Sequence, residues 1–362
     1  MRLCFFGAGD PSYPRQAVIK KGLSLNGVEV SQCWIAQKYK FWSRYPLLFF
    51  RWLRFCRKID FFLVPEFCQK DVPLAKILST LNSKKLIFDP LASRYETKIT
   101  DWKRKPAHSL AAWWNFEIDR WAFKLADLVL ADTHAHKNYY CQKYKLSPNK
   151  VEVLPVGFDD SLYKPFSSQP QEKRDRFTVL FYGSFLPLHG VEVIIQAADI
   201  VFKEDRFLKF KLVGSGQTLN KIRTLSSRLG LRNVYFEGWL PQEELVQRID
   251  SADICLGIFG ETEKARRVVP HKIFQSMAMK KAVITSRTPA MEEFFTHREN
   301  IFLLPEPRPE LLAKAILELK KDKLLREKIA GEGYELVRQK FSPQAIGRVF
   351  LEIIRRNFRH EL

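Results

Sequence analysis

Nowhere in these 362 residues do apolar side chains run unbroken for roughly twenty positions, the length a helix needs to cross a bilayer, so no transmembrane helix is expected. The N-terminal apolar run Leu3–Phe6 stops at Gly7, too short for a signal peptide. Six cysteines (Cys4, Cys33, Cys56, Cys68, Cys141, Cys255) stand apart without a Cys-x-x-Cys pair, and the histidines do not cluster. A disulfide framework and a zinc site are therefore not indicated, and reduced packing thiols are expected. No Asp-x-Asp occurs, so no metal site is expected and the chemistry should run without a divalent ion. Gly7-Ala-Gly9 lacks the third glycine of the dinucleotide fingerprint, which leaves NAD unindicated and no resident cofactor expected. Together these absences point to a cytoplasmic protein.

What is present is positive charge and apolar mass. Sixty Lys and Arg against forty Asp and Glu give a net charge of +20, and 46% of residues are hydrophobic. That charge implies an anionic partner: nucleic acid, an acidic membrane surface or a phosphorylated substrate. The length exceeds what one core usually serves, so two domains are expected.

Read in order, strand and helix patterns alternate through both halves. Strands are expected at Leu3–Phe6, Val28–Trp34, Phe61–Val64, Leu86–Phe88, Asp127–Thr133 and Val151–Asp159. A second series follows at Thr178–Tyr182, Phe207–Val213, Val234–Phe236, Ile254–Ile258, Ala282–Ile284 and Ile301–Leu304. Such alternation means right-handed βαβ units and parallel sheets. The polar, proline-containing stretch 165–175 reads as the linker. It divides the chain into domains 1–168 and 169–342, two Rossmann-like α/β halves with strand ends facing a cleft.

Three stretches carry candidate chemistry. In the first, Lys264, Arg266 and Arg267 precede Pro270, expected at a first helical position, and the helix runs to Lys280-Lys281 in its last turn. Cations ahead of a helix N-terminus suit a diphosphate, though an ordinary surface helix with a solvated basic cap has the same pattern. Gly183-Ser184, His189-Gly190 and Gly214–Gly216 fall at strand ends, where backbone N–H groups can approach a phosphate. The second stretch, 38–58, holds seven Lys and Arg, eight aromatics and no acid. On a helical wheel Arg44, Arg51, Arg54 and Lys58 share a side, with Leu48, Phe49, Trp52, Leu53 and Cys56 largely opposite. It reads either as an interfacial helix on anionic lipid or as a core helix with a basic outer face. The third is basic: Arg94–Lys98 and Trp102–Lys105, expected to be exposed. Asp89 closes a strand and is either an active-site carboxylate or a turn residue. His134 and His136 read as surface histidines, since two-residue spacing does not suit metal ligands on a helix.

The order of motifs resembles the retaining group 1 glycosyltransferases of GT-B fold. The elements that carry the likeness are Leu154–Asp159, Tyr182–Phe185 with Leu188–Gly190, Leu212–Gly216, Phe236–Pro241, Ala252–Ile254 and Pro270–Ile284. The resemblance implies a nucleotide-diphosphate sugar as co-substrate, held by the second domain, and a final helix, 343–362, crossing back to the first. It places donor-site residues at Gly183, Ser184, His189, Gly190, Gly214, Gly216, Lys264, Arg267, His271, Lys272, Gln275 and Glu293, with Asp89, Lys264 and Arg267 as the catalytic set. The sequence also departs from the family. Its two glutamates eight positions apart fall on Arg267 and Gln275, and its arginine and lysine of the first loop fall on Ser184 and His189. Gln275 keeps donors and an acceptor for ribose hydroxyls, and Glu293 keeps the acidic position after the helix. The leading expectation is sugar transfer with retention to a lipid-linked or glycan acceptor of the cell envelope. It would take place at the cytoplasmic face of the inner membrane. The alternatives are a catalytically silent scaffold of the same fold and a nucleic-acid binder. The second has no recognised nucleic-acid module to support it, so nucleic acid is not expected as a partner.

Overall fold

A computed structural model describes residues 1–36, 38–39, 41–56, 58–166 and 176–359, with only the backbone of Phe41 and Trp42. Lys40 and Arg57 of the basic stretch, and most of the expected linker, lie outside the described residues. Two compact units emerge, Met1–Gly157 with Ser342–Leu362 and Phe158–Phe341. Residues 158–166 group with the second unit and not the first, because Phe158 N–H donates to Phe341 O at 3.4 Å and Tyr163 is buried.

The first unit is a parallel sheet of β1 (Arg2–Ala8), β2 (Glu29–Ile35), β3 (Phe61–Val64), β4 (Lys85–Phe88), β5 (Leu128–Ala131) and β6 (Val151–Val153), in the order β2-β1-β3-β4-β5-β6. Strands β3 to β5 are buried on both faces, which explains their continuous apolar runs. Helices α1 (Pro14–Leu25), α2 (Phe41–Phe55), α3 (Val72–Leu81), α4 (Leu110–Leu125) and α5 (His134–Tyr144) connect them, with a π-helical turn at Glu96–Asp101. Ser109 and Thr133 cap α4 and α5 by accepting from Ala112 and His136 amides.

The second unit repeats the plan. Strands β7 (Thr178–Tyr182), β8 (Lys209–Val213), β9 (Val234–Glu237), β10 (Ile254–Leu256), β11 (Ala282–Ser286) and β12 (Phe302–Leu304) form a parallel sheet in the order β12-β11-β10-β7-β8-β9. Around it lie α6 (Val191–Glu204), α7 (Leu219–Arg228), α8 (Gln242–Asp250), α9 (His271–Ala278), α10 (Pro289–Glu292), α11 (Pro309–Lys321) and α12 (Lys323–Lys340). Phe181, Phe185, Ile194, Ile195, Phe210 and Leu212 anchor its core.

The last helix, α13 (Pro343–Asn357), belongs to the first unit and packs on α1. Glycines permit the close approach: a Cβ on Gly22 would lie 2.2 Å from Pro343 O, and one on Gly347 would lie 2.2 Å from Gly22 O.

Several expectations need correction. Arg44 turns inward, 9% exposed, with Nε 3.4 Å from Asp71 Oδ1, so it does not share the outer basic side of α2. Burying that stem next to a carboxylate costs less than burying it alone. The buried side of α2 is Arg44, Leu48 and Trp52, with buried Cys56 just after it, while Phe49 and Leu53 are exposed. His136 is not a surface residue. It is fully buried, with Nδ1 2.6 Å from Asp132 Oδ1 and Nε2 3.3 Å from Glu96 Oε2. Burial would lower its pKa, but the two carboxylates outweigh it and lift it to about 9. Arg94 and Lys98 are half-buried, because the π-helical turn folds the segment back on the unit.

Candidate functional site

In the second sheet the first strand, β7, sits between β8 and β10, so connections leave it on both sides. Such a switch point opens a crevice beyond the C-terminal ends of β7 and β10. The loop after β7, the segment after β10 and the start of α9 meet there. Phe259 N–H donates to His189 O (3.0 Å) and Gly260 N–H to Leu188 O (3.1 Å). Tyr182 Oη donates to Lys272 O at 3.0 Å and lies 3.0 Å from Ser276 Oγ, which pins α9 to the end of β7.

The glycines make this packing possible. Gly190 has φ +58°, and a Cβ there would lie 2.3 Å from the carbonyl carbon of Phe259. Gly214 has φ +126°, and a Cβ would come within 2.1 Å of Gly183 O. Their amides are not free for a ligand, contrary to expectation. Gly183 N–H donates to Val213 O (3.0 Å), Gly214 N–H to Glu237 O (3.0 Å) and Gly190 N–H to Pro187 O (3.1 Å). Gly216 serves the same close packing, since a Cβ on it would lie 2.6 Å from Phe185 N.

Two basic side chains lie at the heart of the crevice. His189 is buried, edge-on to Phe181 with ring centroids 5.7 Å apart, and its Nδ1–H donates to Ser184 O. Burial, then the charges of Lys272 and Lys264, holds it well below the ordinary imidazole range, so it is neutral. Lys272, in the first turn of α9, is 6% exposed. Its Nζ lies 3.9 Å from the centroid of Phe181 and has no hydrogen-bond partner. Gly183 leaves it room: a Cβ there would sit 3.1 Å from Nζ. Burial holds the amine well below the ordinary lysine value. A ring face alone compensates a desolvated ammonium poorly.

Pro270 is the N-cap of α9, not its first helical residue, and the helix ends at Ala278. Lys280 lies beyond it at φ +54°, so the Lys280-Lys281 pair is not in the last turn. His271, half-exposed, opens the helix, and Gln275, 7% exposed, follows Lys272 by one turn on the same face. Lys264 is half-exposed, near enough for its charge to act on His189. Arg267 Nη1 lies 3.2 Å from Glu263 Oε2 in a pair open on the glutamate side, which adds little stability. Ala290 N–H donates to Arg266 O at 3.4 Å, joining this loop to α10, with half-exposed Glu293 just after that helix.

Asp89, expected as a catalytic carboxylate, lies in the first unit and has another task. It is fully buried, and Arg15 Nε donates to its Oδ2 at 2.7 Å. Arg15 also donates through Nη2 to Leu154 O at 3.1 Å. Burial raises the Asp89 pKa while Arg15 pulls it down, and a carboxylate so enclosed is not placed to meet an acceptor. Nearby Glu66, 1% exposed, accepts from Gln16 Nε2 at 2.7 Å, and burial first, then Asp89, lifts its pKa to about 8. No local pattern marked Arg15, Gln16 or Glu66, since their partners are distant in sequence.

Comparison with known proteins agrees with this architecture. The family model described as glycosyl transferases group 1 matches residues 164–336. An uncharacterized glycosyltransferase of Methanocaldococcus jannaschii is 24% identical over 256 residues, 69% of this chain and 62% of that protein. The lipopolysaccharide core biosynthesis glycosyltransferase LpsD of Rhizobium meliloti is 28% identical over 187 residues, 51% of each. The matches thus span between half and two thirds of those relatives' lengths. Among solved structures, Anabaena HepE in complex with UDP-glucose superposes with a TM-score of 0.74 at 18% identity, covering 98% of this chain and 99% of that one. Sucrose-phosphate synthase from Thermosynechococcus elongatus gives 0.74 at 16% identity, covering 99% of each. Two parallel α/β sheets and these superpositions give the chain the GT-B fold, and its second unit, over residues 164–336, matches the group 1 glycosyl transferases.

Proposed function

We propose that this protein transfers a sugar, with retention, from a nucleotide-diphosphate sugar to an acceptor hydroxyl, and that the donor diphosphate lies at the N-terminus of α9. The observation that carries the proposal is Lys272, a buried amine with no hydrogen-bond partner, set beneath the Gly183 turn at a switch point of the sheet. A diphosphate there would supply the charge that Lys272 lacks, with the helix dipole, Lys264 and Arg267 adding to it. Lys272 would stand in for the family's first-loop cations, whose places hold Ser184 and His189. Gln275 and Glu293 would address the sugar and ribose hydroxyls. With these cations in place the leaving group needs no divalent metal, so chelation with EDTA should leave turnover intact. Loss of activity restored by magnesium or manganese would refute that. The leaving phosphate itself would take the acceptor proton in a front-face attack, since Asp89 is enclosed.

HepE, solved with UDP-glucose, makes a uridine nucleotide the first donor to try. The acceptor is proposed to be a lipid-linked or envelope glycan, because LpsD and the amylovoran biosynthesis glycosyltransferase of Erwinia amylovora, 23% identical over 185 residues, are named for such products. The exposed side of α2 would hold the protein peripherally on the cytoplasmic membrane face. The deciding experiment is a thermal-shift screen of UDP, GDP, ADP and their sugars on the parent and on Lys272→Met. One nucleotide should raise the parent's melting temperature clearly more than the variant's at the same concentration; equal shifts in both would remove the donor from this place. A second reading, a silent scaffold, is favoured by Arg267 and Gln275 in the places of the family's carboxylates. It predicts nucleotide binding without product or donor hydrolysis.

A further inference from the structure

The first unit collects cations at the C-terminal edge of its sheet. Arg44 comes from α2, Lys70 from the turn after β3, and Arg94, Lys98 and Arg104 from the segment after β4. Hydrogen bonds draw these pieces together. Asp71, beside Lys70, faces Arg44, and Tyr45 Oη donates to Lys70 O at 2.6 Å. Gln69 Nε2 donates to Ala92 O at 3.0 Å, two residues before Arg94.

Acids offset the group only in part: Asp71 acts on Lys70, and Asp119 on Arg94 and Lys98. Among the described residues Lys70, Arg94, Lys98 and Arg104 have no ion pair to a carboxylate. Asp71 already accepts from Ala8 N–H at 2.8 Å and faces Arg44. Asp119 accepts from Ser93 Oγ, Tyr144 Oη and the amides of Arg94 and Tyr95. Arg94 Nε is buried without a hydrogen-bond partner, and Arg104 lies 4.2 Å from the ring centroid of Trp102. The charges feel one another. Burial, then Arg94, Lys70 and Arg104, depress Lys98, while burial, then Arg94 and Arg44, depress Lys70. Like charges that outnumber the acids beside them, at the ligand-binding edge of a parallel sheet, suit a multivalent anion.

We propose that Lys70, Arg94, Lys98 and Arg104, backed by Arg44, bind a phosphate or diphosphate group. On the glycosyl-transfer reading above, which this step rests on, that group is carried by the acceptor. The chemistry fits either a lipid phosphate or a soluble phosphate, and the two are separable.

The test is calorimetric titration at low salt of the full chain saturated with UDP, so that the donor site is filled. The probes are inorganic pyrophosphate and dihexanoylphosphatidic acid below its micelle concentration. Binding of either probe, weakened at least tenfold in Lys70→Gln/Lys98→Gln/Arg104→Gln with an unchanged melting temperature and UDP affinity, is expected. The double variant Lys70→Gln/Arg104→Gln, at exposed positions, should show a smaller loss in the same direction. Preference for the phosphatidic acid would assign a lipid source, and preference for pyrophosphate a soluble one. Absence of binding by both probes, or equal affinity in parent and variants, would overturn the site. Should UDP fail to bind while the probes still bind the parent and not the variants, the donor reading fails and this site stands.

Discussion

Lys272 decides whether the crevice after β7 holds a diphosphate, and its environment makes a signed prediction. Burial holds its amine well below 10.5, the ordinary lysine value. In the free protein the charge is therefore lost at a lower pH than in the unfolded chain, and the folded state gains stability as pH rises through that window. A docked diphosphate favours the charged form, so nucleotide binding takes up a proton there and affinity rises as pH falls toward the lowered value, then levels off. Above about pH 7, where a terminal phosphate is already ionised, calorimetry in buffers of different ionisation enthalpy should show this uptake in the parent. Lys272→Met should lose the uptake and about tenfold in affinity, worth roughly 1.4 kcal/mol, while melting no lower. Proton uptake retained in the variant would assign it to another group. Arg15 makes the opposite prediction for stability. It is fully buried against Asp89, and Arg15→Met leaves that carboxylate without its counter-ion, costing about 3–5 kcal/mol in denaturant unfolding. A loss under about 1 kcal/mol would mean that the pair contributes little.

At the scale of elements, the loops after β7 and β8 act as one packed layer because glycine lets backbone meet backbone. Gly190→Ala must accept φ +58° and a Cβ 2.3 Å from the Phe259 carbonyl carbon, whereas Gly27→Ala, at φ +77°, meets nothing within 4 Å. The strain alone costs about 1–3 kcal/mol at each site. The clash at Gly190 adds to it, so Gly190→Ala should melt clearly below Gly27→Ala and bind nucleotide more weakly; equal melting temperatures would show that the loop yields freely. Elements of this kind were legible in advance. Alternation of apolar runs with amphipathic stretches placed all twelve strands, most of them close to their observed ends, because burial on both faces demands continuous apolar residues; β6 stops at Val153, well short of Asp159. Side-chain partners were not legible. A helical wheel put Arg44 on the outer side of α2, but its direction is set by Asp71, which a wheel does not contain. Asp89 ended its strand as expected, yet Arg15, 74 residues earlier, converts it from a candidate catalyst into a core ion pair. The π-helical turn that half-buries Arg94 and brings Glu96 to His136 left no periodic signature at all.

For the molecule as a whole, the net charge of +20 favours anionic partners, and α2 supplies a prediction about one kind. Among the described residues no helix is long and apolar enough to cross a membrane, so attachment to a bilayer through this helix would be at its face. With Arg44 turned inward, the outer side of α2 presents Leu47, Phe50 and Phe55 beside Arg51 and Arg54, with Phe50 65% and Phe55 61% exposed, and exposed Lys58 follows the helix. Arg51 and Arg54 lie 5.7 and 5.3 Å from the Phe55 ring centroid, so the cations ride on the aromatic surface. Duplex nucleic acid would answer the charge and leave the exposed rings unused, whereas an anionic bilayer takes both. Each basic side chain near such a surface contributes about 1 kcal/mol, and apolar insertion adds to that. The protein should therefore sediment with anionic liposomes and not with neutral ones, with binding that weakens as salt rises. Arg51→Gln/Arg54→Gln/Lys58→Gln, which spares Arg44 and the core, should stay folded and lose most of that binding. An excess of random DNA should displace the protein from liposomes only weakly. If DNA displaces it completely, or the parent ignores anionic liposomes at low salt, the charge serves another partner and α2 is not a docking face.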